Sequence, residues 1–333
     1  MKVAVLGAGS WGTTLALLLT RNVRAVHIWE FRSDAVRRMQ KDRENKEFLP
    51  GKSFPNNLNI TDDIEEAVHD AHICLSVIPS HAVRPTAEKL KHGLPKDCYL
   101  VSATKGIEQH SLMRVSQIYQ DVWKDEFNLD NFACLSGPSH AEEVSIGLPT
   151  TVVAASTNIK TAKRIQKLIS TERFRVYATD DLIGVELGGS LKNVIAIAAG
   201  ISAGLNFGDN TLGALLTRGL AEMSRLAQKL GARPATLAGL SGMGDLVTTC
   251  CSRHSRNRFV GEQLGKGKKL ADILAEMRMV AEGVNTTASA QELSKRESIE
   301  MPITNQAYRV LFEDADPLLA TTELMLRSLK VED

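Results

Sequence analysis

The chain has 333 residues, a formal net charge of +1, 43% hydrophobic residues and 24% charged residues. That length exceeds what one hydrophobic core usually serves, so two domains are expected, and the composition is that of a globular enzyme. The flat charge excludes a global field for drawing in nucleic acid or an anionic membrane. Cys74, Cys98, Cys134, Cys250 and Cys251 form no C-x-x-C pair and no zinc spacing, so reduced thiols and no metal site are expected.

The opening "MKVAVLGAGSWGTTLALLLTRN" reads as an apolar strand, a glycine turn and an apolar-periodic helix. It begins a strand at once, leaving no room for a signal peptide, and no run approaches the roughly 18 uninterrupted apolar residues of a membrane span. A cytoplasmic protein without an integral membrane segment is expected. Gly7, Gly9 and Gly12 have the spacing G-x-G-x-x-G between strand and helix, the context in which this pattern binds a dinucleotide. Gly7 permits the tight turn, Gly9 the approach of a pyrophosphate, and Gly12 close helix–strand packing. A plain glycine turn is the alternative.

A second strand, "AVHIWE", ends at Glu30, 18 residues after Gly12. A carboxylate there accepts hydrogen bonds from ribose hydroxyls and repels a 2′-phosphate, which favours NAD(H). Arg32, two residues on, can pair with that phosphate and favours NADP(H). The balance leans to NAD(H), with dual use open.

Short apolar runs at 72–78, 98–103, 132–136 and 150–155 alternate with polar helical segments such as "DDIEEAVHD" and "RPTAEKLKHGL". Buried strands alternating with helices predict a doubly wound parallel α/β sheet. In such sheets ligands bind beyond the carboxyl ends of the strands, where "VIPSHAVR", "SATKGIE" and "SGPSHAEEV" place small or polar groups. Lys105 is positioned to meet an anion or a carbonyl, a solvated loop lysine being the alternative; Gly137 and Pro138 shape a turn.

From about residue 184 helical periodicity takes over, which predicts domains over 1–187 and 188–333. "GVELGGSLKNVIAIAAGISAGL" (184–205) is nearly all apolar or small, yet Lys192 shares a helical stripe with Gly188, Gly189, Ile195, Ala196 and Ala199. A lysine that snorkels its charge to water and a desolvated general base both suit that placement. Helices are expected over 214–231, 257–265, 269–279, 286–296, 302–313 and 316–328. "GLSGMGDLVTTC" (239–250) reads as a glycine-rich loop holding Asp245. In "CSRHSRNRFVGEQLG" (251–265), Ser255 is placed to cap a helix with Arg256 and Asn257 in its first turn, which makes a phosphate site. A basic solvated face is the alternative there, and the lack of interleaved aromatics argues against nucleic acid.

Taken in order, "GAGSWGTTLA", "VIPSHAVR", "ATKGIE", "SGPSHAEEV", "GLPTTVV", "GVELGGSLKNVIAIAAGI", "TRGLAEMSRL", "GMGDLVTTC", "SRNR", "VAEGVNT" and "MPIT" resemble the NAD(P)-dependent glycerol-3-phosphate dehydrogenases, closest to the bacterial type. The resemblance covers nearly the whole chain. It implies a Rossmann-like N-terminal domain, an all-helical C-terminal domain like that of 6-phosphogluconate dehydrogenase, and an active site in the cleft between them. It implies a phosphorylated triose as substrate, glycerol phosphate for phospholipid synthesis as product, and a homodimer. It assigns the proton acceptor to Lys192 and the other substrate contacts to Lys105, Gly137, Ser139, Asp245, Ser255, Arg256 and Asn257. The cofactor contacts it implies are Ser10, Trp11, Lys105, Ala141, Arg256, Val280 and Glu282. His140 stands where an aromatic is expected and Ser190 where alanine is commoner, so the cofactor wall departs from the pattern. Two rival readings are a lysine-using β-hydroxyacid or ketopantoate-type reductase and a non-catalytic dinucleotide sensor.

Overall fold

A computed structural model describes residues 1–277, 279–329 and 331–332. Arg278, inside the helix expected over 269–279, lies outside the described residues. The chain divides into two compact units, one of residues 1–105 and 113–186, the other of residues 106–112 and 187–333. The first unit is therefore not the uninterrupted 1–187 expected, because 106–112 leaves it and packs with the second. Ser289 Oγ donates to Ile107 O at 3.1 Å within that second unit.

The first unit is built on eight strands: β1 (Lys2–Leu6), β2 (Ala25–Trp29), β3 (Leu58–Thr61), β4 (Ile73–Ser76), β5 (Tyr99–Ser102), β6 (Phe132–Ser136), β7 (Thr150–Ala155) and β8 (Phe174–Thr179). Their order across the sheet is β3-β2-β1-β4-β5-β6-β7-β8. Every neighbouring pair is parallel except β6 and β7, so the all-parallel expectation is corrected at one junction. The β6–β7 link holds only the short Ala141–Ser145 helix and a turn at Gly147 (φ 79°), which reverses the chain instead of carrying it over the sheet.

Alternate residues of these strands point to opposite faces. Val3, Val5, Ile28, Leu75, Val101 and Leu135 build one core, while Ala4, Leu6, Cys74, Leu100, Phe132 and Cys134 build the other. Each fully buried Leu, Ile or Phe contributes about 1.5–3 kcal/mol relative to exposure. Burial pushes the Cys98 thiol up to about 12, as suits a packing residue.

Among the described residues the second unit is all helical. At its centre runs the Leu182–Gly204 helix, whose first turns belong to the first unit. It is long and apolar enough to cross a membrane, but 89% of its most apolar window is buried inside the protein. Its small residues admit close neighbours: a Cβ at Gly200 would overlap the backbone of Arg258, and one at Gly188 would come within 2.7 Å of Ser241 O.

The backbone of 240–251 corrects the reading of 239–250 as a loop. Leu240–Gly244 forms a wide helical turn that runs straight into the Asp245–Cys251 helix. A Cβ at Gly242 would overlap Leu237, so that glycine serves close packing of consecutive helical turns.

Candidate active site

In the first unit the glycine turn is shaped for a close ligand. Gly7 has φ 102°, its N–H donates to Trp29 O at 2.9 Å, and a Cβ there would come 2.7 Å from Val77 O. A Cβ at Gly12 would overlap the Gly7 carbonyl. Gly9, by contrast, faces open space. It is the N-cap of the Ser10–Leu19 helix and has no capping side chain, so the first N–H groups of that helix remain available. The cradle thus fits a dinucleotide pyrophosphate.

Buried Ser10 and half-buried Trp11 begin this helix, Trp11 leaning on the core. Thr14 Oγ1 donates to Ala141 O at 3.3 Å, which draws the 141–145 helix against the same element. At the end of β2, buried Glu30 accepts from Arg32 Nε at 2.9 Å. At the ends of β5 and β6, Lys105 Nζ donates to Gly137 O at 3.0 Å and Ser139 Oγ donates to the same oxygen at 2.9 Å. Three expected site residues therefore meet on one carbonyl. Gly137 itself has φ 136°, and a Cβ there would lie 2.9 Å from Val152 Cα.

In the second unit Lys192 is 6% exposed, which removes the snorkelling alternative. Its Nζ lies 2.9 Å from Asp245 Oδ1 and donates to Thr249 Oγ1 at 2.6 Å. Thr249 in turn donates to Asp245 Oδ1 at 3.2 Å. Asp245 and Thr249 stand four residues apart on one helix and so share a face. The amine is thus held in place by two oxygens of one helix face. Thr249 was not among the expected residues; its signal is the i, i+4 spacing from Asp245.

The helix Arg256–Gly265 starts as the sequence indicates, with Ser255 Oγ accepting from Arg258 N at 3.2 Å. Arg256 is exposed at the first position. The Asn257 amide has internal partners. Its Nδ2 donates to Asn193 Oδ1 at 2.8 Å and its Oδ1 accepts from Gly283 N at 2.9 Å. Asn257 thereby ties the lysine helix to the start of the Glu282–Arg296 helix, with Glu282 at its first position and exposed Val280 just before it. Asn193, beside the lysine, is a second participant the sequence reading missed. Buried Cys250, next to Thr249, has its thiol pushed up to about 12 by burial and stays neutral.

Two family models match the chain: the NAD-dependent glycerol-3-phosphate dehydrogenase N-terminus over residues 2–162 and the C-terminus of the same family over 181–322. The chain belongs to this family. A glycerol-3-phosphate dehydrogenase [NAD(P)+] of Citrifermentans bemidjiense is 51% identical over 331 residues, 99% of this chain and 98% of the relative. That of Prosthecochloris aestuarii is 50% identical over the full length of both. The crystal structure of glycerol-3-phosphate dehydrogenase from Coxiella burnetii superposes with a TM-score of 0.93 at 40% identity, covering 98% of this chain and 99% of that one. As a glycerol-3-phosphate dehydrogenase family member the chain is an oxidoreductase that uses NAD(P). Its glycine cradle and its lysine cluster fall in the regions matched by the N-terminal and C-terminal models respectively.

Proposed function

We propose that this chain interconverts dihydroxyacetone phosphate and sn-glycerol 3-phosphate, with Lys192 as the acid–base group. The observation that carries this reading is the buried Lys192–Asp245–Thr249 cluster. Nζ is positioned by two oxygens on one helix face, as proton transfer to a substrate oxygen requires.

Gly7, Gly9 and Gly12 would hold the dinucleotide pyrophosphate, with Ser10, Trp11 and Ala141 beside it and Glu30 and Arg32 toward the adenosine ribose. When bound, the nicotinamide supplies the hydride for carbonyl reduction and takes it back for alcohol oxidation. Lys192 moves the matching proton, giving it to the C2 oxygen on reduction and removing it from the C2 hydroxyl on oxidation. Asp245 and Thr249 orient Nζ and hold its charge between turnovers. Asn257 holds Asn193 beside the lysine and fixes the helix start that carries Arg256. Arg256 and the start of the helix that Ser255 caps would bind the substrate phosphate, and Lys105 the substrate carbonyl side with Ser139. The phosphate does not react, so its binding energy positions the carbon that does. The lean to NAD(H) rests on Glu30, a buried carboxylate at the end of β2. The resemblance also supports a cytoplasmic homodimer, which sedimentation velocity tests.

The deciding experiment follows NADH and NADPH oxidation with dihydroxyacetone phosphate and with unphosphorylated dihydroxyacetone. Rapid turnover of the phosphate ester and poor turnover of the ketone are expected. A preference for carboxylate substrates would favour the hydroxyacid or ketopantoate-type reductase, and binding of the dinucleotide without turnover would favour the sensor.

A further inference from the structure

The segment between the Ser33–Asp42 helix and β3 folds back on itself. Glu44 and Ser53 form an isolated antiparallel bridge, and Phe54 N donates to Arg43 O at 2.7 Å. Asn45 pins this loop to the glycine turn: its Nδ2 donates to Ala8 O at 2.7 Å and to Thr13 Oγ1 at 2.9 Å. Its Oδ1 accepts from Phe48 N at 3.2 Å, and Leu49 N reaches Asn45 O at 2.8 Å, so the turn 45–49 is closed. Glu47 and Phe48 are consequently delivered to the end of β2. Glu47 Oε1 accepts from Arg32 Nη1 and Oε2 accepts from Arg38 Nη2, both at 3.1 Å. Arg32 lies over the Phe48 ring, 5.4 Å from its centroid. Since Arg32 also holds Glu30, and Arg38 also pairs with Asp34, two guanidinium groups are shared among three carboxylates.

We propose that Glu47 sets the preference between the two dinucleotides by competing with a ribose 2′-phosphate for Arg32. This rests on the reading above that Glu30 and Arg32 face the adenosine ribose. The Phe48 stack holds the guanidinium at the strand end whichever anion it pairs with, and its fork of donors suits a carboxylate and a phosphate equally. To take a 2′-phosphate Arg32 must release Glu47, and the freed carboxylate is left beside the new negative charge. NAD(H) makes no such demand and leaves both pairs in place. Glu47 and Arg32 side chains are 29% and 32% exposed, so the competition is moderated by water and amounts to a several-fold bias. Nothing in the 45–49 turn marks it as a selectivity element in sequence, because its anchor lies on residues 32 and 37 positions away.

The test measures direct binding of NADPH and NADH, without triose phosphate, by nicotinamide fluorescence. It compares wild type, Glu47→Gln, Arg32→Ala and the double variant, each checked for an unchanged thermal midpoint. Glu47→Gln should tighten NADPH roughly two- to fivefold and leave NADH unmoved. In the Arg32→Ala background the same substitution should have no effect on NADPH. Equal changes for both dinucleotides, or none, would overturn the competition. A gain that persists without Arg32 would overturn it too, showing that Glu47 repels the phosphate directly. If Arg32→Ala leaves NADPH affinity intact, it is the underlying placement of Arg32 at the ribose that fails.

Discussion

Replacing Thr249 with valine keeps the branched shape and deletes one hydroxyl that serves two buried ions. Thr249 Oγ1 accepts from Lys192 Nζ at 2.6 Å and donates to Asp245 Oδ1 at 3.2 Å, while the direct Lys192–Asp245 contact at 2.9 Å survives the change. A hydrogen bond to a charged group contributes about 1.5–3 kcal/mol. Losing orientation of Nζ by about half that amount lowers kcat roughly tenfold, with KM for dihydroxyacetone phosphate nearly unchanged. Steady-state kinetics in both reaction directions is the assay. A variant with wild-type kcat and KM would show that Thr249 only fills space.

Arg256→Ala should raise KM for dihydroxyacetone phosphate and lower kcat, because remote binding energy also positions the reacting carbon; turnover of unphosphorylated dihydroxyacetone should barely change, and equal damage to both would place Arg256 outside the phosphate site. Glu222 is buried against the start of the Pro302–Phe312 helix, accepting from Ile303 N at 2.5 Å and from Thr304 N and Oγ1 at 3.2 Å each. Burial outweighs these donors and lifts its carboxyl from 4.5 to about 7. The folded chain therefore holds a proton that the unfolded chain releases, so this stabilisation is complete below about pH 4.5 and is lost as pH rises through about 7. It is worth at most about 3 kcal/mol, and Glu222→Gln should flatten the fall of the thermal midpoint between about pH 4.5 and 7; an identical slope in the variant would assign the fall to other groups.

The parts of the molecule legible in sequence are those whose signal is local. The glycine turn, the strand ending at Glu30, the capping serine at 255 and the apolar helix around Lys192 each declare themselves within one element. Strands β3 and β8 escaped notice because neither forms an apolar run: "LNIT" is interrupted by exposed Asn59, and "FRVYAT" alternates buried and exposed side chains at the sheet edge. Residues 239–250 look like a loop because glycine is usually a breaker, whereas here Gly242 lets successive helical turns touch. The internal partners of the Asn257 amide, Asn193 and Gly283, lie 64 and 26 residues away. Long-range hydrogen bonds of this kind leave no periodic trace. The same is true of Asn45 and Glu47.

The most direct test of the proton-transfer assignment is the kcat of Lys192→Met, measured on protein whose thermal midpoint and dinucleotide Kd show it folded and able to bind. The thermal check matters because Asp245 is left buried beside an apolar side chain, with Thr249 still donating to it. Methionine retains the length and packing of lysine without the amine, so kcat should fall by roughly 10²–10⁴ while dinucleotide Kd stays at its wild-type value. Turnover above about a tenth of wild type would contradict Lys192 as the group that moves the proton.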